Sequence, residues 1–162
     1  MKINLEAFNL ELLQKSLLSE EEKKVLLHLW NDEYPIIISL SSSQSFNHYL
    51  DSLENVTHYL LMDLSYNIIK GWAFTFDRNG LRWFAIILSP IIQKKGIGRI
   101  ILKYFISKEK HLSAWVIDND RYVKSNGQPY LSPLLFYTKL GCRISKKDTS
   151  TSGELSVVKI DF

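Results

Sequence analysis

The chain has 162 residues, enough for one domain with a sizeable core. Hydrophobic residues make up 46% and charged residues 23%, an ordinary globular balance that points to neither disorder nor a coiled coil. The formal net charge of +3 helps an anion approach but falls far short of a nucleic-acid-binding surface, so no nucleic-acid partner is expected.

The N-terminus, Met1-Lys2-Ile3-Asn4-Leu5-Glu6, lacks the charged-then-apolar layout of a leader. The longest apolar stretch, Trp83 to Leu88 with Pro90-Ile91-Ile92 beyond, is too short to span a bilayer. No membrane partner and a cytoplasmic location are therefore expected. Cys142 is the only cysteine, so an internal disulfide is excluded. His28, His48, His58 and His111 are scattered without metal-ligand spacing, and no metal is expected. No repeat or linker interrupts residues 1–162, which read as one domain.

Residues 2–7 read as an edge strand. Ser19-Glu20-Glu21-Glu22 is a capping box: the Ser19 hydroxyl accepts from the Glu22 amide, and the Glu22 side chain reaches back to the Ser19 amide. Val25, Leu26, Leu29 and Trp30 then share a helical face, and Pro35 ends that helix. The Ser-rich segment 40–45 reads as a loop. Phe46, Tyr49, Leu50 and Leu53 mark a second amphipathic helix.

Strands follow at His58–Leu64 and Ile68–Phe76. Asn79-Gly80 predicts a tight hairpin, because both residues tolerate positive φ. Leu81–Leu88 is the next strand, and its inner part barely alternates, so both faces are expected to be buried. Ile97, Ile100, Ile101, Tyr104 and Phe105 make a strong helix signal. Leu112–Ile117 reads as a strand and 118–131 as a long polar loop. Ser132 as N-cap, Pro133 at the first helical position and Gly141 past the end punctuate a short last helix. Residues 143–146 and 155–162 read as a closing antiparallel pair, with Val158, Ile160 and Phe162 facing one way. The order describes a mixed α/β domain around one sheet.

The most informative stretch runs from Leu88 through Gln93-Lys94-Lys95-Gly96-Ile97-Gly98-Arg99. A buried strand enters a loop with two glycines, and the loop opens a helix. The first helical amides have no intrahelical partner, and the helix dipole adds positive potential there. Such a site suits phosphates. Gly96 and Gly98 remove Cβ atoms from the approach, and Lys94, Lys95 and Arg99 add charge. The stretch matches neither the Walker pattern nor the dinucleotide fingerprint. On this loop alone, an ordinary turn remains an equal reading.

Gln93-Lys94-Lys95-Gly96-Ile97-Gly98 closely resembles the Gln/Arg-x-x-Gly-x-Gly/Ala loop of GNAT acetyltransferases. Further on, Ser132-Pro133-Leu134-Leu135-Phe136-Tyr137-Thr138-Lys139-Leu140-Gly141-Cys142 is similar to the family's late helix, which typically ends Phe-Tyr-x-x-Leu-Gly-Phe. The resemblance covers the chain from about Ser19 to the end. It implies the GNAT acyl-CoA acyltransferase fold: one mixed, mostly antiparallel sheet of about six to seven strands flanked by about four helices. It also implies acetyl-CoA as the acetyl donor, in an opening between the fourth and fifth strands. Backbone at Leu88 would pair with pantetheine, and the amides of Lys94, Lys95, Gly96, Ile97, Gly98 and Arg99 would hold the pyrophosphate. Gln93, Ser132 and Phe136 join that cofactor set. A homodimer is compatible with the resemblance.

Tyr137 matches the tyrosine that in many members protonates the departing thiolate; read from the residues alone, it is also an aromatic packing residue at helical spacing. There are departures. Cys142 replaces the motif's last Phe and reads as a small buried hydrophobe. Tyr130 stands where many members have an asparagine, which unsettles one pantetheine contact. Leu81–Leu88 carries no acid where many members place a general base, so the base is unassigned.

On the acceptor side, Trp30, Asn31, Asp32, Glu33 and Tyr34 form an aromatic and acidic cluster at a helix end. It reads either as acceptor-binding, through Trp30 and Tyr34, or as a solvated terminus over a buried Trp30. Asp118 and Asp120 either attract an ammonium, with Asp120 then taking its proton, or serve turn chemistry. The leading expectation is an N-acetyltransferase acting on a small-molecule or peptide amine in a ternary complex. Second comes a non-catalytic acyl-CoA-binding module, and third a nucleotide- or nucleic-acid-binding domain.

Overall fold

The computed structural model describes residues 3–152 and 155–162, and the side chains of these outside 146–152. Among the described residues, seven strands form one sheet in the order β1-β2-β3-β4-β5-β7-β6. They are β1 (Leu10–Lys15), β2 (Glu54–Asp63), β3 (Ile68–Arg78), β4 (Leu81–Leu88), β5 (Ser113–Ile117), β6 (Arg143–Ser152) and β7 (Leu155–Asp161). Four helices flank it: α1 (Glu20–Glu33), α2 (Ser43–Asp51), α3 (Ile97–Lys108) and α4 (Leu134–Lys139). Only β4 and β5 pair in parallel; the other neighbours are antiparallel.

The edge strand expected at 2–7 lies instead at Leu10–Lys15. Glu6–Phe8 makes a 3₁₀ turn, and Asn9 takes left-handed backbone at φ 57° to enter β1. Asn accepts that conformation more readily than most residues. The buried Leu5 and Leu10 hold the turn on both sides. β1 then runs against β2 from Leu10↔Asp63 to Lys15↔His58.

The α1 capping box forms as read: Glu22 N–H donates to Ser19 Oγ at 3.2 Å and Ser19 N–H to Glu22 Oε2 at 2.7 Å. Val25 departs from the shared face and is exposed, while Leu26 is fully buried. α2 begins inside the segment expected to be a loop. Ser42 caps it, exchanging bonds with Ser45 at 3.1 and 3.2 Å. The Asn79-Gly80 hairpin has φ of 52° and 72°, the type I′ signature that matches strand twist. Pro133 sits just before α4, and its carbonyl accepts from Tyr137 N–H at 3.2 Å. Ser132 therefore lies one residue outside the cap position expected for it. Gly141, at φ 93°, ends the helix as expected.

Each face of the sheet carries its own apolar layer. On one side, Leu26 and Phe46 of α1 and α2 pack on Leu60, Trp72, Phe74, Trp83 and Ile87. On the other, Ile97, Ile101, Phe105 and Tyr137 of α3 and α4 pack on Tyr59, Leu61, Phe84, Ala114, Val116 and Ile160. β4 contributes to both, as its weak alternation predicts. Among the described residues, no helix is long and apolar enough to cross a membrane.

Candidate functional site

The site begins where β4 and β5 part. Their parallel pairing registers only at Trp83↔Ser113. β4 then follows β3 up to Gly71↔Leu88, while β5 follows β7 out to Ile117↔Val157. The strands diverge towards their carboxyl ends, leaving a fork. The two-residue hairpin makes Arg78 and Leu81 a hydrogen-bonded pair, and every second pair after it likewise. Ser89 N–H donating to Lys70 O at 2.9 Å confirms that phase. The N–H and C=O groups of Ile86 and Leu88 thus point away from β3, into the fork.

The chain leaves β4 through a 3₁₀ turn at Pro90–Ile92 and enters α3 by a loop with left-handed backbone at Lys94 (φ 59°) and Gly96 (φ 84°). Alternation of this kind turns successive amides towards one concavity, a nest that binds anions. The first helical bond runs from Ile100 N–H to Gly96 O, so the amides of Ile97, Gly98 and Arg99 point off the helix end. The Ile97 side chain is buried in the core, so only its backbone serves the nest. Lys94, Lys95 and Arg99 are exposed around it. A Cβ on Gly96 would meet nothing within 4 Å, and one on Gly98 would touch Phe136 Cζ at 3.5 Å and Leu88 Cδ1 at 3.7 Å. The glycines therefore keep open the space in front of the amides.

Gln93 does not face the nest with its side chain. Its Nε2 donates to Leu88 O at 2.7 Å and to Glu33 Oε2 at 2.9 Å. Of the two groups that Leu88 turns into the fork, the carbonyl is thus engaged.

α4 closes the fork. Ser132 Oγ donates to Ile117 O at 2.5 Å and accepts from Leu134 N–H at 3.2 Å, fixing the start of α4 on the end of β5. Tyr137 is 7% exposed. Its ring meets Phe136 at 5.1 Å, Phe84 at 5.8 Å and Phe162 at 6.4 Å between centroids. Burial first, then the nearby Tyr34 and Cys142, push its phenol well above the ordinary range. A group so placed holds its proton through neutral pH. Cys142, expected to be buried, is only partly so, packed at the margin of this layer; burial first, then Asp161, raises its thiol.

On the α1 side, Tyr34 is packed between the α1–α2 layer and a small cluster of Ile117, Tyr122 and Tyr130. Burial pushes its phenol up to about 12. Trp30 donates its indole N–H to Ile38 O at 3.0 Å and packs edge-on to Tyr34 at 4.6 Å. Its polar atom thus braces the turn after α1. The long loop is partly ordered by its own bonds. Tyr130 N–H donates to Tyr122 O and Lys124 N–H to Gln128 O, both at 2.9 Å, and the tip turns at Gly127 (φ 80°). This hairpin-like excursion reaches α1's end, where Ile36 N–H donates to Val123 O at 2.9 Å.

Asp118 and Asp120 sit at the loop's root. Asp118 accepts from Asn119 Nδ2 at 2.8 Å and from Ser156 Oγ at 3.1 Å; Asp120 Oδ1 accepts from Ser132 N–H at 2.6 Å. With Ser132, Leu134, Leu135 and Thr138 they line an open cleft of about 410 Å³. Turn and tethering chemistry is therefore present at both aspartates. The residues that sequence reasoning missed are Glu33 as a buried acceptor, Lys124 as its cation at 3.0 Å, and Ser89, whose Oγ is the one buried side-chain polar atom without a partner among the described residues. Among the described residues no group of three His, Cys, Asp or Glu is placed to hold a metal ion.

A seven-stranded mixed sheet flanked by four helices matches the fold of the GNAT acyl-CoA N-acyltransferases. The chain overlays an aminoglycoside 6'-N-acetyltransferase solved with coenzyme A at a TM-score of 0.66 and 12% identity, covering 94% of this chain and 96% of that one. It overlays the ribosomal-protein-S18-alanine N-acetyltransferase of Escherichia coli at 0.59 and 17%, covering 94% and 93%. A phosphinothricin acetyltransferase of Sinorhizobium meliloti in complex with AcCoA matches at 0.61 and 13%, covering 95% and 88%. No protein-family model matches the chain, and no curated protein matches it in sequence.

Proposed function

We propose that this chain is an N-acetyltransferase that moves the acetyl group of acetyl-CoA to a primary amine on a small molecule or peptide. The observation that carries the reading is the fork between β4 and β5, with the α3 nest beyond the end of β4 and the buried Tyr137 ring packed on Phe84 of β4. Solved proteins of this fold that hold CoA or AcCoA support it.

The donor supplies an acyl group activated as a thioester. Ile86 and Leu88 offer the extended chain of a pantetheine arm a strand edge, with Leu88 contributing its N–H, since Gln93 occupies its carbonyl. The nest from Lys94 to Arg99 neutralises the diphosphate, helped by the three exposed cations. The acceptor amine comes from the α1 side, past Tyr34. As it attacks the carbonyl carbon, charge develops first on the oxygen and then on sulfur, and Tyr137 donates its proton to the leaving thiolate. The base stays open: β4 holds no acid, and Asp120 gives one carboxylate oxygen to the Ser132 amide.

That open base favours a second reading, a non-catalytic acyl-CoA-binding module. One experiment separates them. The chain is incubated with acetyl-CoA and a panel of amines, and free thiol is followed, beside thermal shifts with acetyl-CoA and ATP. Thiol release that depends on an amine supports the transferase. A stabilising shift by acetyl-CoA without release across the panel supports the module. A shift with ATP and none with acetyl-CoA ends both readings.

A further inference from the structure

One carboxylate ties three separate parts of the site together. Glu33 is the last residue of α1 and is 9% exposed. Its Oε2 accepts from Lys124 Nζ at 3.0 Å and from Gln93 Nε2 at 2.9 Å. The other Gln93 Nε2 hydrogen goes to Leu88 O at 2.7 Å, so both amide donors are spent. The Lys124 side chain is itself only 16% exposed. Through this node the tip of the acceptor-side loop, the end of α1, the last carbonyl of β4 and the residue that begins the nest are joined. Glu33 and Lys124 are 91 positions apart, and Glu33 and Gln93 are 60.

We propose that Glu33 is a positioning residue that couples the loop 118–131, on the acceptor side, to the nest that opens α3. The proposal rests on the reading of that nest as the acetyl-CoA site. A buried carboxylate stripped of its cation is costly, so Glu33 cannot simply lose Lys124 and stay as it is. It must rotate or draw in water. Either change releases Gln93, and Gln93 is followed at once by the left-handed Lys94 that shapes the nest. Conversely, a nest held in its binding shape keeps Gln93 on Glu33 and favours the loop position in which Lys124 completes the set. Linkage of this kind is reciprocal: the ordered loop favours acetyl-CoA as much as acetyl-CoA favours the ordered loop.

Lys124→Met tests this without touching the nest or β4. Acetyl-CoA affinity is measured by calorimetry without acceptor, and hydrogen exchange of the amides from Lys94 to Arg99 is measured with no ligand at all. The expected result is a loss of roughly tenfold in acetyl-CoA affinity, within the usual span of coupling between sites. Faster exchange at the nest accompanies it, and Lys124→Arg, which keeps the charge, restores both. If Lys124→Met does not fold, the double variant Glu33→Ala with Lys124→Met removes both charges and the acceptor of the Gln93 amide, and must show the same two changes. Unchanged acetyl-CoA affinity in a folded variant overturns the coupling. Failure of the unmodified chain to bind acetyl-CoA instead sinks the function proposed above. The ligand-free exchange then decides the coupling alone, and equal exchange in the variant overturns it.

Discussion

The ring of Phe136, on α4, lies 3.5 Å from the point where a Cβ on Gly98 would stand, at the start of α3. The two helices thus meet over a missing side chain, with Leu88 Cδ1 close by at 3.7 Å from the same point. The gap is an ordinary contact distance, so a single methyl fits the folded chain. Gly96 differs: nothing crowds its Cβ position, but its φ of 84° disfavours any side chain.

Gly98→Ala is therefore expected to fold with a melting temperature close to that of the parent. Gly98→Val, with two further carbons at the mouth of the nest, is expected to lose acetyl-CoA affinity while keeping cooperative melting. Gly96→Ala carries the opposite signature. It loses about 1–2 kcal/mol of stability to left-handed backbone, and its acetyl-CoA affinity changes less. Denaturant titrations beside ligand titrations check both. A Gly98→Val chain that binds as tightly as the parent would remove Gly98 from the site.

His58 gives a pH prediction. It is 4% exposed on β2, and its Nδ1 accepts from Trp72 Nε1 at 3.3 Å. Burial lowers its pKa from 6.5 to about 4, although Glu22 nearby opposes the shift. Below pH 6.5 the unfolded chain takes up a proton that the folded chain refuses, so stability falls as pH drops and levels off near 4. The slope approaches about 1.4 kcal/mol per pH unit, on the order of 3 kcal/mol in all. Urea unfolding between pH 7 and 5 should show it. His58→Phe should flatten this component, and an equally steep profile in that variant would assign the slope to other groups.

Local chemistry explains what was legible in the sequence. The Ser19 capping box, the Asn79-Gly80 hairpin, the bounds of β4 and the terminal Gly141 each rest on residues within a few positions of one another. The glycine loop that opens α3 was legible for the same reason. α2 began earlier than read because Ser45 plays the capping-box role that a Glu or Gln usually signals. β1 was misplaced because an edge strand, half exposed, carries little periodicity, and Asn9 gave the only turn signal. The Glu33–Lys124–Gln93 node had no local signal at all, since its members meet only when the sheet and α1 are assembled. Gln93 illustrates the limit: its motif position pointed to the phosphates, while burial of Glu33 beside it turned the amide inward.

Asp120, by sequence either a base or a turn residue, holds the Ser132 amide through Oδ1 at 2.6 Å. Asn keeps an oxygen that can accept the same bond, so Asp120→Asn should fold and melt like the parent. If the charge attracts the acceptor ammonium, or a carboxylate oxygen takes its proton, kcat/KM for an amine substrate falls at neutral pH. The defect then shrinks as pH rises and free amine becomes plentiful. Asp120→Ala removes the tether as well; water can reach the exposed Ser132 amide, so the added loss of stability should be only about 0.5–1.5 kcal/mol. A defect in Asp120→Asn that is constant across pH would leave the residue with the tether alone.

Tyr137→Phe isolates one hydroxyl. The ring's neighbours are Phe136, Phe84 and Phe162, all apolar, so a phenyl group keeps the same contacts. Folding and acetyl-CoA affinity should both survive. If the phenol protonates the leaving thiolate, turnover drops by roughly a hundredfold or more, the usual scale of general acid catalysis. The pH profile adds an independent check. Burial holds the phenol above its ordinary range, and the nearby Tyr34 phenol reinforces this, so Tyr137 stays protonated well into alkaline solution. The parent should then show no alkaline fall in kcat below about pH 10, the titration of an unperturbed tyrosine. A parent whose kcat collapses near pH 8 would require a different acid, one with an ordinary or lowered pKa. A Tyr137→Phe chain with near-normal turnover would hand the proton to water and leave Tyr137 a packing residue between three phenylalanines.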